Sequence, residues 1–203
     1  MEQMQILLAI LVLLPFVSAL LLALCGSDRM RRLIVYGSAG VLMISAVAFA
    51  VCFFSGENLQ LRFLQSGGII DHTMLALEAG FAVLITVLSI KYRRYYVAVL
   101  SIVQTVLTFV YELGGYKPAV QPYNLFADQL TVIMVLIIAV VGTLITVYAV
   151  GYMRDYHSHH KEYTDRRRFF FAMLYVFLGA MFGLVLSNSL LWLYFFWEIT
   201  SLV

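Results

Sequence analysis

The chain has 203 residues, 63% of them hydrophobic and 12% charged, with a formal net charge of +2. A soluble domain carries about a quarter charged residues, so these are too few to cover a water-facing surface, and a soluble or peripheral enzyme is excluded. Three prolines and long uncharged runs indicate membrane-spanning helices, not the short alternating segments of a barrel.

Gln3–Cys25 is uncharged and long enough to span, with Pro15 inside it. It lacks the basic leader of a signal peptide, since its first flanking charge is Glu2, and it reads as a permanent helix. Asp28, Arg29, Arg31 and Arg32 read as a short loop. Leu33–Ser55 is the second span, and Gly37, Ser38, Ala39 and Gly40 are small enough for close helix contact. Gly56–His72 is a polar connection with Gly67-Gly68 as a turn signal. Thr73–Ile90 is the third span and carries Glu78. Tyr95–Leu113 is the fourth and weakest, interrupted by Gln104, and pairs with the third as a hairpin.

Gly114–Ala127 reads as a loop containing Pro118 and Pro122. Asp128 stands just before the uncharged fifth span, Gln129–Met153, where an acidic residue suits a helix start by capping and by the dipole. Arg154–Arg168 is the most polar stretch. Phe169–Leu186 is the sixth span, Ser187-Asn188-Ser189 a tight turn, and the seventh span runs from Asn188 to Val203. The fold class expected is therefore an all-α integral membrane protein of about seven transmembrane helices.

Charge distribution orients it. With the N-terminus outside, the inward loops hold Arg29, Arg31, Arg32, Lys91, Arg93, Arg94, Arg154, Lys161 and Arg166 to Arg168, eleven of the thirteen basic residues. The outward loops hold only Arg62 and Lys117. The bias alternates through every loop, which supports seven spans.

Glu198 is the one carboxylate in an otherwise apolar and aromatic stretch. Ten residues past Asn188 it lies roughly 15 Å deep, near the centre of a hydrocarbon core of about 30 Å. A charge there costs at least about 2.5 kcal/mol and marks a functional site by default. The alternative is a structural glutamate bonded to a neighbouring helix. Glu78, about 7 Å into its span, is either a second protonatable group near the outer entrance or an interfacial carboxylate that reaches water. Glu112 reads as a helix-end residue.

Other features carry weaker signals. Cys25 and Cys52 cannot build a four-cysteine cluster and read as small apolar residues. His157, His159 and His160 match no standard metal-ligand spacing and read as a solvated surface or a contact with an adjoining subunit. Arg166-Arg167-Arg168 reads as a positive-inside anchor, with anionic lipid contact as a further role. Trp192, Tyr194, Phe195, Phe196 and Trp197 read as lipid-facing or packing residues, with a quinone site as the alternative. Thr131, Thr143 and Thr146 either serve a water chain or bond their own backbone carbonyls. No nucleotide loop, haem ligand or cluster ligand is evident, so no cofactor, metal or catalytic centre is expected in the chain.

From Asp128 the sequence resembles a known family. Asp128-Gln129-Leu130-Thr131 opens a long helix ending in Tyr152-Met153, Phe169-Phe170 opens the next, and Asn188-x-Leu190-Leu191-x-Leu193-Tyr194-x-x-Trp197-Glu198-x-x-Ser201-Leu202 follows. This is similar to the antiporter-like subunits of complex I (the L-type subunit), of Mrp cation/proton antiporters and of membrane-bound energy-converting hydrogenases. The resemblance implies that Glu198 is a proton-relay glutamate, paired in that family with a lysine on a later helix. It implies proton or cation/proton translocation within a redox-driven complex such as NADH:quinone oxidoreductase or hydrogenase, or in an Mrp-type Na⁺/H⁺ antiporter. The partners implied are other membrane subunits, lipids and H⁺ or Na⁺, with no nucleic acid, in a prokaryotic cell membrane. Residues 1–127 would be the N-terminal helices, including an apparently inserted hairpin at about 73–113, and 128–203 the start of the translocation module. Family members run to about fourteen helices, and no Lys or Arg lies inside any span here. The expectation is a truncated product, a gene fragment or half of a split subunit, with a non-conducting scaffold as the alternative role.

Overall fold

The computed structural model describes residues 2–56, 61–65, 69–113, 123–159 and 165–203. Within them the chain is an all-α membrane protein with seven helices: α1 Glu2–Leu24, α2 Asp28–Phe54, α3 Ile69–Lys91, α4 Tyr95–Leu113, α5 Gln129–His159, α6 Arg167–Leu186 and α7 Leu190–Leu202. Five of them are long and apolar enough to cross a membrane, while α4 and α7 are shorter apolar helices. Two short strands, β1 Leu61–Gln65 and β2 Tyr123–Ala127, pair antiparallel.

Helices α1, α2, α5 and α6 close into a four-helix ring, α1 on α2, α2 on α5, α5 on α6 and α6 on α1. Its centre is apolar, with Leu11, Leu42, Phe49, Val135, Phe171 and Phe182 fully buried. One polar knot crosses it. The Tyr175 hydroxyl of α6 donates to the Val35 carbonyl at 3.0 Å and accepts from Ser38 Oγ of α2 at 2.6 Å. Helix α7 packs on α6, and the α3–α4 hairpin rests against α7 through α3.

Glycine on α6 brings α7 close. A Cβ at Gly183 would stand 2.4 Å from the Phe196 ring of α7, and one at Gly179 would stand 2.9 Å from Phe16 of α1. Small residues spaced by four let membrane helices approach backbone to side chain. The close-packing seam is thus on α6. The four small residues of α2 divide: Ser38 and Ala39 are buried, but Gly37 and Gly40 face open space, so the expectation of close contact fails at the two glycines.

Several boundaries differ from the sequence expectations. The expected loop at Asp28–Arg32 is the first turn of α2, because Asp28 suits the positive helix end and Arg31 reaches back to pair with it. α3 begins four residues before Thr73, and α5 runs on to His159. The 114–127 loop contains β2, and the 56–72 connection contains β1. Neither five-residue strand has a hairpin turn beside it, since the whole α3–α4 hairpin separates them, so the pairing leaves no local signal. Gly67-Gly68, Lys117, Pro118, Pro122, His160 and Lys161 lie outside the described residues.

The ribbon also holds the α6–α7 turn. Leu125 bridges to Ser187, the Asn188 backbone N–H donates to the Asn124 carbonyl at 2.8 Å, and the Asn188 side-chain amide donates to the Tyr123 carbonyl at 2.9 Å. Ser189 then caps α7, its Oγ accepting from Trp192 N–H. The ribbon and this turn mark one end of the bundle. The α1–α2, α3–α4 and α5–α6 connections mark the other, where Arg167 of α6 meets Asp28 of α2 at 3.3 Å.

Candidate functional site

Helix α7 has two faces. Leu191, Trp192, Phe195, Phe196 and Ile199 are buried, and Met74 and Phe81 of α3 join this cluster, Phe81 meeting Phe195 edge-on at 5.6 Å. Tyr194 and Glu198, four residues apart, share the next stripe of the helix. There the Tyr194 hydroxyl donates to Glu198 Oε1 at 2.7 Å, and Gln104 Nε2 of α4 donates to the same oxygen at 2.9 Å. The other oxygen, Oε2, is buried and meets no hydrogen-bond partner among the described residues.

Glu78 belongs to this neighbourhood. It lies on the face of α3 that carries Met74 and Phe81, at helical spacings of four and three. It is 3% exposed. Because α3 starts at Ile69, Glu78 is about 13 Å into its helix, not the roughly 7 Å counted from Thr73. Glu198 is about 12 Å past Leu190, so both carboxylates sit at a similar depth from the ribbon end. The burial of Glu78 does not fit an interfacial carboxylate reaching water.

The arrangement is chemically simple. A buried carboxylate, Glu78, and a half-buried one, Glu198, lie in one apolar region with a phenol and an amide between helices. Glu198 Oε1 keeps both donors whichever state the carboxyl is in, which leaves Oε2 able to hold or release a proton. Among the described residues no lysine or arginine forms an ion pair with Glu198.

Sequence reasoning misses the roles of Gln104 and Tyr194. Gln104 stands out only as an interruption of a weak span, yet a polar residue inside an apolar helix usually faces a polar partner. Tyr194 reads as one of several packing aromatics, although its place four residues before Glu198 carries the signal.

The remaining candidates lie elsewhere. Asp128 stands at the start of α5, where its Oδ1 accepts from the Thr131 backbone N–H at 2.8 Å and from Thr131 Oγ1 at 2.9 Å. That backbone donor holds its carboxyl below the ordinary carboxylate range. Thr143 and Thr146 donate to backbone carbonyls within α5, at 2.6 Å and 2.8 Å. His157 and His159 each face a carbonyl one turn back on their own helix. Arg167 chelates Asp165 through Nε and Nη2, and this hydrogen bonding holds the Asp165 carboxyl far below the usual range.

Residues 121–170 match the family model described as NADH-ubiquinone oxidoreductase (complex I), chain 5 N-terminus. They cover β2, α5 and the start of α6, and Glu198 lies beyond them. The chain is similar to the A1 subunit of the Na(+)/H(+) antiporter of Staphylococcus haemolyticus, 31% identical over 107 residues, which is 53% of this chain and 12% of that protein. It is similar to the A subunit of the Na(+)/H(+) antiporter of Alkalihalophilus pseudofirmus, 38% identical over 80 residues, 39% of this chain and 9% of that protein. The corresponding A1 subunit of Staphylococcus aureus is 26% identical over 146 residues, 64% of this chain and 17% of that protein. The chain thus spans 9% to 17% of the length of these relatives.

Proposed function

The chain is related to the antiporter-like membrane subunits through their N-terminal part, and on that premise we propose that it belongs to a cation/proton-translocating membrane subunit in which Glu198 is a proton-relay carboxylate and Glu78 a second protonatable group. The observation that carries this reading is the pair of hydrogen bonds to one Glu198 oxygen, from Tyr194 and Gln104, beside a second oxygen left to the proton. Na⁺/H⁺ exchange is the preferred activity because the relatives quoted are named as Na⁺/H⁺ antiporter subunits. A redox-driven proton pump is the second reading, favoured by the complex I description of the matching family.

In this reading the arginine-rich end faces the cytoplasm by the positive-inside rule, in a bacterial plasma membrane. The ribbon end faces outward, the N-terminus is outside, and Glu198 loads from that side. Residues 128–203 form the start of the translocation module, residues 1–127 brace it, and further membrane subunits complete the pathway.

The test is Glu198→Gln in everted membrane vesicles carrying the chain with its native partners, read with a pH-sensitive dye. Loss of the Na⁺-triggered collapse of the pH gradient, at normal chain abundance, is expected. Proton pumping on substrate oxidation, without a Na⁺ response, would favour the redox reading. Unchanged activity in Glu198→Gln by both readouts would remove Glu198 as a relay.

A further inference from the structure

At the end opposite the ribbon, α2, α5 and α6 enclose a cleft of about 220 Å³. Its wall carries Arg31 and Arg32 of α2, Arg154 of α5 and Arg167 of α6, against the single carboxylate of Asp28. Asp28 is occupied by its pairs with Arg31 and Arg167, and Arg167 is also held by Asp165. Among the described residues no carboxylate pairs with Arg32 or Arg154, and both are exposed. The wall behind them is prebuilt. Arg31 is 5% exposed and sits over the Phe171 ring, 5.9 Å from its centroid. The N-termini of α2 and α6 also end here and add partial positive charge.

The order of residues along each helix identifies the ligand class. One turn deeper toward the bundle centre, Tyr36 follows Arg32 on α2, Val150 precedes Arg154 on α5, and Phe171 follows Arg167 on α6. All three walls thus pass from guanidinium at the rim to apolar or aromatic surface within four residues. A free phosphate ion would need only the rim. A molecule with an anionic head and an apolar body matches both levels. We infer that this cleft binds an anionic phospholipid, the phosphodiester between Arg32 and Arg154 and the glycerol and first acyl carbons against Tyr36 and Val150. Arginine suits the head because its planar fork matches phosphate oxygens. This site is separate from Glu198 and does not depend on the translocation reading.

The experiment is native mass spectrometry of the chain, with the partners it is purified with, titrated with phosphatidylglycerol or phosphatidylcholine. The double variant Arg32→Gln/Arg154→Gln removes the two cations that have no carboxylate partner among the described residues. Gly151→Phe fills the cleft while every arginine stays, because a Cβ at Gly151 meets nothing within 4 Å. A phosphatidylglycerol adduct that phosphatidylcholine does not form is expected. It should weaken about 30-fold in the double variant, from about one tenfold step or less per cation at a membrane surface, and weaken comparably in Gly151→Phe. Equal binding of both lipids would overturn the proposal, as would full phosphatidylglycerol binding by Gly151→Phe. Displacement of the adduct by inorganic phosphate at concentrations matching the lipid would assign the cleft to a free anion and overturn the lipid.

Discussion

Gln104 of α4 donates its amide to Glu198 of α7 at 2.9 Å, across 94 positions of sequence. The bond makes the α3–α4 hairpin part of the candidate site. Without it the hairpin would touch the bundle mainly through the apolar contacts of α3 with α7.

Gln104→Leu keeps the apolar bulk of α4 and removes this donor. A hydrogen bond to a charged acceptor is worth about 1.5–3 kcal/mol, so transport should fall about tenfold or more without being abolished. Tyr194→Phe should act in the same direction. In the Glu198→Gln background neither should lower the remaining rate further. Exchange rates in vesicles for the single and double variants give the coupling, and independent effects would show that Gln104 does not act through Glu198.

Gly183→Leu should displace α7 from α6, because even a Cβ there meets the Phe196 ring at 2.4 Å. Overpacking of a filled contact costs about 1–3 kcal/mol. Gly37→Leu on α2 is the control, since nothing lies within 4 Å of its Cβ, and it should stay within about 0.5 kcal/mol. Thermal unfolding in detergent, followed by tryptophan fluorescence from α7, distinguishes them. Equal melting of both variants would mean that Gly183 does not set the α6–α7 distance.

Asp165→Asn tests the clamp at the start of α6. The folded carboxyl lies below its unfolded value of about 3.9, so its stabilisation is fully present above that pH and is lost as pH falls through the lower folded value. The Asp165 carboxylate is half exposed, which limits the effect to about 1 kcal/mol. Wild type should therefore outlast the variant at neutral pH, and the difference should vanish in strong acid. A difference that grew on acidification would contradict the sign of the shift.

Arg93→Gly addresses the α3–α4 turn. Arg93 has φ 57°, and Arg93 N–H bonds to the Ile90 carbonyl at 3.0 Å while Arg94 N–H bonds to the Ser89 carbonyl at 2.8 Å. This is the Schellman closure of a helix, whose left-handed position favours glycine. The variant should melt higher by an amount worth up to about 1 kcal/mol, the strain a side chain meets in that conformation. A lower melting temperature would show that the guanidinium holds the turn by contacts of its own.

The long apolar runs and the alternating arginine-rich loops are properties of the chain itself, so the sequence alone determined that this is a helical membrane protein. Length and charge decide whether a helix can sit in hydrocarbon, and both are local. Glu198 is legible for the same reason, as a charge ten residues into an otherwise apolar and aromatic run, and Asp128 because a helix start has a local chemistry. Gly183, Gln104 and Tyr194 are not legible in their roles, because each acquires its meaning from a residue on another helix or another turn. The β1–β2 ribbon joins segments about sixty residues apart, and the two strands are not neighbours in sequence, so no hairpin pattern announces their pairing. A count from Thr73 places Glu78 nearer the helix start than it is, because α3 begins at Ile69. The meeting of Glu198, Gln104 and Glu78 in one region, and of arginines from three helices around one cleft, was decided only by tertiary packing, since each group comes from a different helix and only the packing of those helices on one another brings them together.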